Sequence, residues 1–301
     1  MLLRQLEYLV ALARERHFAR AAGACHVSQP SLSAAIRKLE AELGTPVVLR
    51  GQRYSGLTPE GERVLHWAQR ILAERDALHD ELSSMRDGLA GVLRVGAIPT
   101  ALTAMSMLST TFCERHPHAR VTLESLSSRE ITRRLGAFEL DAGLTYLDDC
   151  RGIPLYEERY LLLTPVGGEL AGRKVVRWAE AATLPLCLLM SRMRNRRILD
   201  EIFAAAGAAV FPAVETDTVS GLYAHVATQR WSSVISHAWL HLFGVPPGMC
   251  VVPLEAPARP PRIGLLVGDG ILAGALGDVA RGLDLRGTLE ALLHRHLANP
   301  R

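Results

Sequence analysis

The stretch from Phe18 to Gly61 constrains this chain more than any other, because two short helical patterns meet in it at a tight turn. Phe18, Ala21, Ala22 and Cys25 recur at the three-and-four spacing of one helix face, and Leu32, Ile36, Leu39 and Leu43 repeat that spacing on a second. Between them stands His26-Val27-Ser28-Gln29-Pro30. A serine there can accept a hydrogen bond from an unpaired first-turn amide, and a proline is tolerated where the N–H needs no helical acceptor. The pattern therefore predicts a second helix starting near Gln29. With the leucine and isoleucine face turned inward, Gln29, Ser31, Ser33, Ala34, Arg37 and Lys38 occupy the exposed side, cations toward its far end. Such a surface suits a major groove, where the second helix of a helix-turn-helix presents side chains near its N-terminus to base edges. Val47-Val48 and the run from Leu49 to Leu57 predict two short strands around a glycine-containing loop, a wing carrying Arg50 and Arg53. A plain Ala-rich helix pair with a Ser-x-Pro turn would look the same as far as Leu43. The wing separates the two readings.

Charge follows the same division. Over residues 1–58, eight Arg or Lys stand against four Glu, a net +4, which leaves −1 for the remainder of a chain whose total is +3. A basic head on a near-neutral body fits a nucleic-acid reader with a separate regulatory part, although a solvated surface also allows it. At 301 residues and 49% apolar content, two or three domains with real cores are expected. No apolar run approaches the roughly 20 residues that span a bilayer. The early Glu7 and the lack of a hydrophobic signal region lead to the expectation of a cytoplasmic protein. The five cysteines, Cys25, Cys113, Cys150, Cys187 and Cys250, are scattered without a C-x-x-C pair, so neither a disulfide framework nor a zinc site is expected. A redox pair would require two of them to meet in space.

The order AAGACHVSQPSLSAAIRKLEAELGTPVVLRG, then LTPEG, resembles the N-terminal domain of the LysR-type transcriptional regulators. His17, Ala34 and Val48 depart from that pattern, standing where a small cap, an arginine and an aromatic are frequent. The resemblance implies an all-α winged helix-turn-helix over residues 1–58 that binds duplex DNA. Gln29, Pro30, Ser31, Ser33, Arg37, Arg50 and Arg53 are its candidate DNA-binding residues, with Gln29 and Ser33 at base edges and Arg53 reaching from the wing.

Before the turn, Leu6, Leu9, Val10 and Ala13 predict a supporting helix from about residue 3 to Glu15. After the wing, Thr58-Pro59-Glu60-Gly61-Glu62 is a helix start, with a cap, a first-turn proline and acids where the helix dipole favours them. A seam follows, in which Val64, Ala68, Ile71, Arg75, Leu78, Leu82, Met85 and Leu89 alternate at four and three, only Arg75 breaking the apolar register. One helix cannot bury that stripe on a small head alone, so residues 59–90 are expected to form a dimerising linker, with Val64, Ala68, Ile71, Leu78, Leu82 and Met85 at the contact. A core helix of one subunit is the alternative.

Beyond Asp87-Gly88-Leu89-Ala90-Gly91 the pattern becomes alternating strand and helix, which implies a mostly parallel sheet with helices on its faces. By resemblance, residues 91–301 form a two-lobed, periplasmic-binding-protein-like effector domain. Lobe one would hold residues 91–164 and 266–301, lobe two 165–265, with crossings near Thr164-Pro165 and Gly264-Leu265. Ligands of such folds sit beyond strand C-termini, where helix N-termini favour anions. Four junctions qualify, and Pro99, Thr100, Ser128, Met193, Asn195 and Thr218 are the candidate effector-binding residues. Each hydroxyl could equally be an ordinary helix cap. Arg192, Arg194, Arg196 and Arg197 beside one junction suggest a small anion. The phrases AIPTALTAM, SLSSREI, FELDAGLTYLD, LYEERYLLLTP, NRRILDEIF and RWSSVIS are similar to the subgroup associated with formate dehydrogenase operons, which makes formate or another small carboxylate the leading effector.

No G-x-S-x-G, H-E-x-x-H, G-x-x-x-x-G-K-[ST] or helix-opening G-x-G-x-x-G occurs, so neither an enzyme nor a cofactor is expected. His116-Pro117-His118 and Gly268-Asp269-Gly270 read as turns. The expected partners are duplex DNA, a small carboxylate and further copies of the chain as a dimer or tetramer, with RNA polymerase a further candidate and no membrane. A second reading keeps the α/β body as a small-molecule-binding protein or enzyme whose first 58 residues serve assembly.

Overall fold

The computed structural model describes residues 1–49, 54–147 and 152–298, with backbone alone for 80, 81 and 83–87. Two compact units divide the chain, one of Met1–Leu89 with Gly136–Glu139 and one of Ala90–Leu135 with Leu140–Arg301. The first holds α1 (Leu3–Glu15), α2 (Phe18–Ala24), α3 (Gln29–Leu43) and α4 (Pro59–Asp87). Its core joins Leu6, Leu9 and Leu12 to Ala21, Ala22, Leu32, Ile36, Leu39 and Val47. Leu43, expected on this face, is 39% exposed because α3 ends there, one residue before the left-handed Gly44 at φ 69°. The wing narrows to an antiparallel bridge between Val48 and Leu57, while Arg50 and Arg53 lie outside the described residues.

Half of the α4 seam is used within the chain. Ala68 is 1% exposed in the head core, and Val64 and Ile71 are half-buried against it. Arg75, the break in the register, pairs with Glu7 of α1 and with Asp76. Ala68 is therefore covered by its own head rather than offered to another subunit, and Val64 and Ile71 are covered in part. Farther along, Leu78 and Leu82 are 54% and 53% exposed, and the Met85 side chain lies outside the description.

The second unit runs β1 (Gly91–Ala97), a 3-10 turn, α5 (Leu102–Arg115), β2 (Ala119–Ser125), α6 (Ser128–Gly136), β3 (Ala142–Tyr146) and β4 (Ile153–Glu157). It continues through β5 (Tyr160–Pro165), α7 (Trp178–Ala181), β6 (Cys187–Leu189), α8 (Arg194–Ala205), β7 (Val214–Thr216), α9 (Val219–Val226) and β8 (Ser233–Ser236). A second 3-10 turn, α10 (Leu240–Phe243), β9 (Met249–Pro253), β10 (Arg262–Val267), α11 (Ile271–Gly282) and α12 (Leu285–Ala298) complete it. Among the described residues, one sheet has the order β2-β1-β3-β10-β4, with β1, β2 and β3 parallel and β10 antiparallel to both neighbours. The other lobe joins an antiparallel β8-β5-β9 sheet to a parallel β6-β7 pair through a bridge from Leu186 to Ser232.

This register moves the expected crossings. Tyr160–Pro165 pairs with β8 and β9, so it belongs to lobe two, and the chain first crosses at Glu158-Arg159 rather than at Thr164-Pro165. Gly264 and Leu265 lie inside β10 of the lobe-one sheet, so the return crossing precedes Arg262. Lobe two packs around Trp178, whose ring meets Phe203 and Tyr160 edge-on at 5.0 and 5.6 Å.

Candidate functional site

In the head, Ser28 caps α3. Its Oγ accepts from the Ser31 amide at 3.3 Å and shares a 2.8 Å hydrogen bond with the Ser31 hydroxyl. Gln29, Pro30, Ser31 and Arg37 are exposed on the presented face, while Ser33 is half-buried. His17 performs the work of the usual small cap, its Nδ1 accepting from the Ala19 amide at 3.2 Å. Leu39-Glu40 has a divided role, because Leu39 fills the core while the Glu40 carboxylate accepts from the amides of Val47 and Val48 at 2.9 and 3.1 Å. Thr58 closes the other side. Its hydroxyl donates to the Pro46 carbonyl at 2.7 Å and accepts from the Gly61 amide at 2.9 Å. Gly61 is required there, since a Cβ would stand 2.0 Å from the Val47 carbonyl oxygen. The recognition helix, the wing base and the start of α4 are thus held as one piece.

In the second unit, a cavity of about 530 Å³ opens between the lobes. Pro99, Thr100, Ser128, Met193 and Asn195 all line it. Thr100 and Asn195 are 2% and 3% exposed, and the Thr100 hydroxyl, the Ser128 hydroxyl and Asn195 Oδ1 have no hydrogen-bond partner. Ser127 explains the freedom of Ser128, because it is Ser127 Oγ that accepts from the Glu130 amide at the start of α6. At α8 the residue before the helix is Met193, which supplies no side-chain cap, so the first-turn amides lack an intrahelical acceptor. Trp239 Nε1 donates to the Thr100 carbonyl at 3.0 Å and fixes that turn.

Thr218 stands apart from this group. It caps α9, accepting from the Gly221 amide at 3.0 Å, and does not line the cavity. Nor do the four arginines act together. Arg196 is buried, binding Asp200 and Glu215 at 2.8 and 2.6 Å and the Leu189 carbonyl at 2.9 Å, which makes it a brace of lobe two. Arg192 pairs with Asp217 at 3.1 Å. Arg194 lies over the Tyr146 ring at 5.6 Å, and Arg197 lines the cavity together with Arg129 of α6. Among the described residues lining it there is no acid, histidine or cysteine.

Sequence reasoning missed Thr145 and Tyr146. Both line the cavity, and Thr145 is 2% exposed with an unpaired hydroxyl. The signal was present, for they end β3, parallel to β1 and β2, where the strand-end rule already pointed. Behind them, Asn195 Nδ2 donates to the Tyr146 hydroxyl at 3.2 Å. That hydroxyl donates to Glu158 Oε2 at 3.1 Å, and Tyr160 donates to the same oxygen at 2.8 Å. Burial pushes the Glu158 carboxyl up to about 7, hydrogen bonds from Tyr160 and Tyr146 opposing it. Tyr146 is raised well above its ordinary value by burial and by Glu158. Next to the crossing, His237 Nδ1 accepts from the Arg159 amide at 3.2 Å, and burial, with the Arg159 charge, lowers the imidazole to about 4.

Residues 86–270 match the LysR substrate binding domain, and residues 3–62 match the bacterial regulatory helix-turn-helix protein, lysR family. The chain belongs to the LysR family. Within that family it is 35% identical over 198 residues to the DNA-binding transcriptional dual regulator OxyR of Escherichia coli, covering 63% of this chain and 64% of that protein. It is 30% identical over 299 residues to a probable hydrogen peroxide-inducible genes activator of Streptomyces viridosporus, covering 94% and 96%. Among solved structures, a full-length OxyR variant of Pseudomonas aeruginosa has a TM-score of 0.74 at 26% identity, covering 95% of this chain and 97% of that one. The chain spans about 64% of the length of the first of these relatives. This LysR-family chain has no helix, among the described residues, long and apolar enough to cross a membrane, and no His, Cys, Asp and Glu cluster that could hold a metal.

Proposed function

We propose that this chain is a sequence-specific DNA-binding transcriptional regulator whose activity is set by a small carboxylate bound between the lobes of its second unit. The observation that carries the effector half is the convergence on one cavity of three buried, unpartnered groups, Thr100, Thr145 and Asn195, beside the uncapped start of α8 and under Arg129, Arg194 and Arg197. An anion there gains charge-assisted hydrogen bonds, and the described lining residues include no carboxylate, histidine or thiol to act on it as base or nucleophile, which favours sensing over turnover. The DNA half is supported by the exposed Gln29, Ser31 and Arg37 on a rigidly capped helix, with Arg50 and Arg53 as expected wing contacts. Leu78, Leu82 and Met85 would pair α4 with a second copy, in a dimer or tetramer working with RNA polymerase in the cytoplasm. Ligand binding changes the balance of lobe arrangements, and the linker carries that change to the heads.

A peroxide sensor is the second reading, favoured by the names of the relatives. It would need a reactive thiol in the cavity; among the described residues Cys25, Cys113, Cys187 and Cys250 do not line it and burial raises Cys187 to about 11, while Cys150 lies outside the described residues. None of the named relatives points to formate, so the carboxylate class is proposed rather than that member. Duplex binding followed against salt tests the DNA half, since a true binder loses affinity with a log–log slope of roughly −0.9 per phosphate neutralised. Thermal shift with small carboxylates and with hydrogen peroxide tests the effector half. A shift from peroxide alone would favour the second reading, and a flat salt response would remove the first.

A further inference from the structure

The geometry points to a narrower ligand: we propose that the cavity takes a small 2-hydroxycarboxylate and that Asn195 reads its hydroxyl. This rests on the anion reading above and deepens it. The inference starts from the direction of one hydrogen-bond chain. Glu158 Oε2 receives bonds from both Tyr146 and Tyr160, and it accepts whether the group is ionised or carries its proton on Oε1, the oxygen without a partner. The Tyr146 hydrogen is therefore committed to Glu158, and its lone pair takes the bond from Asn195 Nδ2. That fixes which way the Asn195 amide faces, an orientation its own shape would leave open. Asn195 Oδ1 is left without a partner on a side chain 3% exposed that lines the cavity. A buried acceptor of this kind calls for a donor.

Formate and other simple carboxylates bring only acceptors, so they leave Oδ1 unsatisfied. An ammonium group would supply a donor, but Arg129, Arg194 and Arg197 around the cavity, with no acid among its described lining residues, repel it. A neutral hydroxyl meets the requirement. The Thr100, Thr145 and Ser128 hydroxyls, all unpartnered, and the first-turn amides of α8 are left to donate to the carboxylate.

The test uses the full chain and two pairs of probes in which a methyl replaces the hydroxyl: glycolate against propionate, and lactate against isobutyrate. Calorimetry should find each hydroxy acid bound at least about tenfold more tightly than its partner, the discrimination a site gains when an analogue leaves a buried polar group unpaired. In Asn195→Ala the ratio should fall to about one while carboxylates still bind. Tyr146→Phe tests the same point without a cavity, because the amide is freed to rotate while Arg194 keeps its aromatic partner; the ratio should fall there too. Equal binding within each pair, or a preference that survives Asn195→Ala, overturns the proposal and leaves the anion reading standing. If none of the four acids binds, both fall.

Discussion

Replacing Glu158 by Gln should change how stability depends on pH, with a size and sign set by the buried network. The Glu158 carboxyl rises from 4.5 to about 7 in the folded chain, so between those values the native state holds a proton that the unfolded state has lost. Native protein then loses stability as pH climbs from about 4.5 to about 7, by roughly 3 kcal/mol, and stays level above. His237 acts in the opposite sense. Its imidazole falls from 6.5 to about 4, so the unfolded state binds the extra proton and stability rises with pH across that window, by a similar amount. The two slopes nearly cancel in the wild type. In Glu158→Gln only the histidine slope remains, so the variant should gain about 3 kcal/mol on wild type between pH 4.5 and 7. A constant offset is also expected, because the new amide N–H replaces Glu158 Oε1, which has no partner. Urea denaturation of both proteins at half-unit pH steps, taken as a difference curve, removes the other titrating groups. A flat difference curve would show that Glu158 ionises like an exposed carboxyl, and the reasoning from its burial would fail.

Three further outcomes are expected. Gly61→Ala should destabilise the head by at least about 1–3 kcal/mol, because the Cβ has no space beside the Val47 carbonyl, and a head transition unchanged in thermal unfolding would contradict the packing described. Leu78→Glu with Leu82→Glu should turn oligomers into folded monomers in sedimentation, as both side chains are exposed in a single chain; oligomers that persist would exclude α4 as the pairing element. Gln29→Ala should cost about 1–3 kcal/mol at one base position of the operator, while Arg37→Ala should weaken all duplexes alike and shallow the salt slope by about one unit. Uniform loss in both variants would move the base contacts elsewhere.

The head was the most legible part, since each local signal there agrees with its neighbours. Ser28 and Pro30 start α3 at Gln29, Gly44 ends it, and Thr58 with Pro59 starts α4. What spacing could not reveal was competition for a face. Ala68 has the spacing of a subunit contact, yet the head core covers it, while Leu78 and Leu82 farther along stay exposed. In the second unit the strands were visible but their sheets were not. Nothing local to Tyr160–Pro165 says that it pairs with β8 and β9, and β4, broken by Pro154 and short, carries no clear period. Thr100, Ser128 and Asn195 came from strand ends and helix starts, a rule that would equally have found Tyr146. Thr218 obeys the same rule and still serves only as a cap, because α9 begins away from the cavity. Glu158 was beyond reach, since its setting depends on three chain segments meeting at a crossing.

Coupling between the two ligands tests the central claim most directly: operator affinity of the full chain, measured by fluorescence anisotropy with and without saturating glycolate or lactate at fixed salt. Linkage requires that an acid which changes operator affinity by some factor has its own affinity changed by the operator by the same factor. Matching factors of about 5–150, lost together in Thr100→Val with Ser128→Ala, are the predicted result. Acid binding that leaves operator affinity untouched would contradict it.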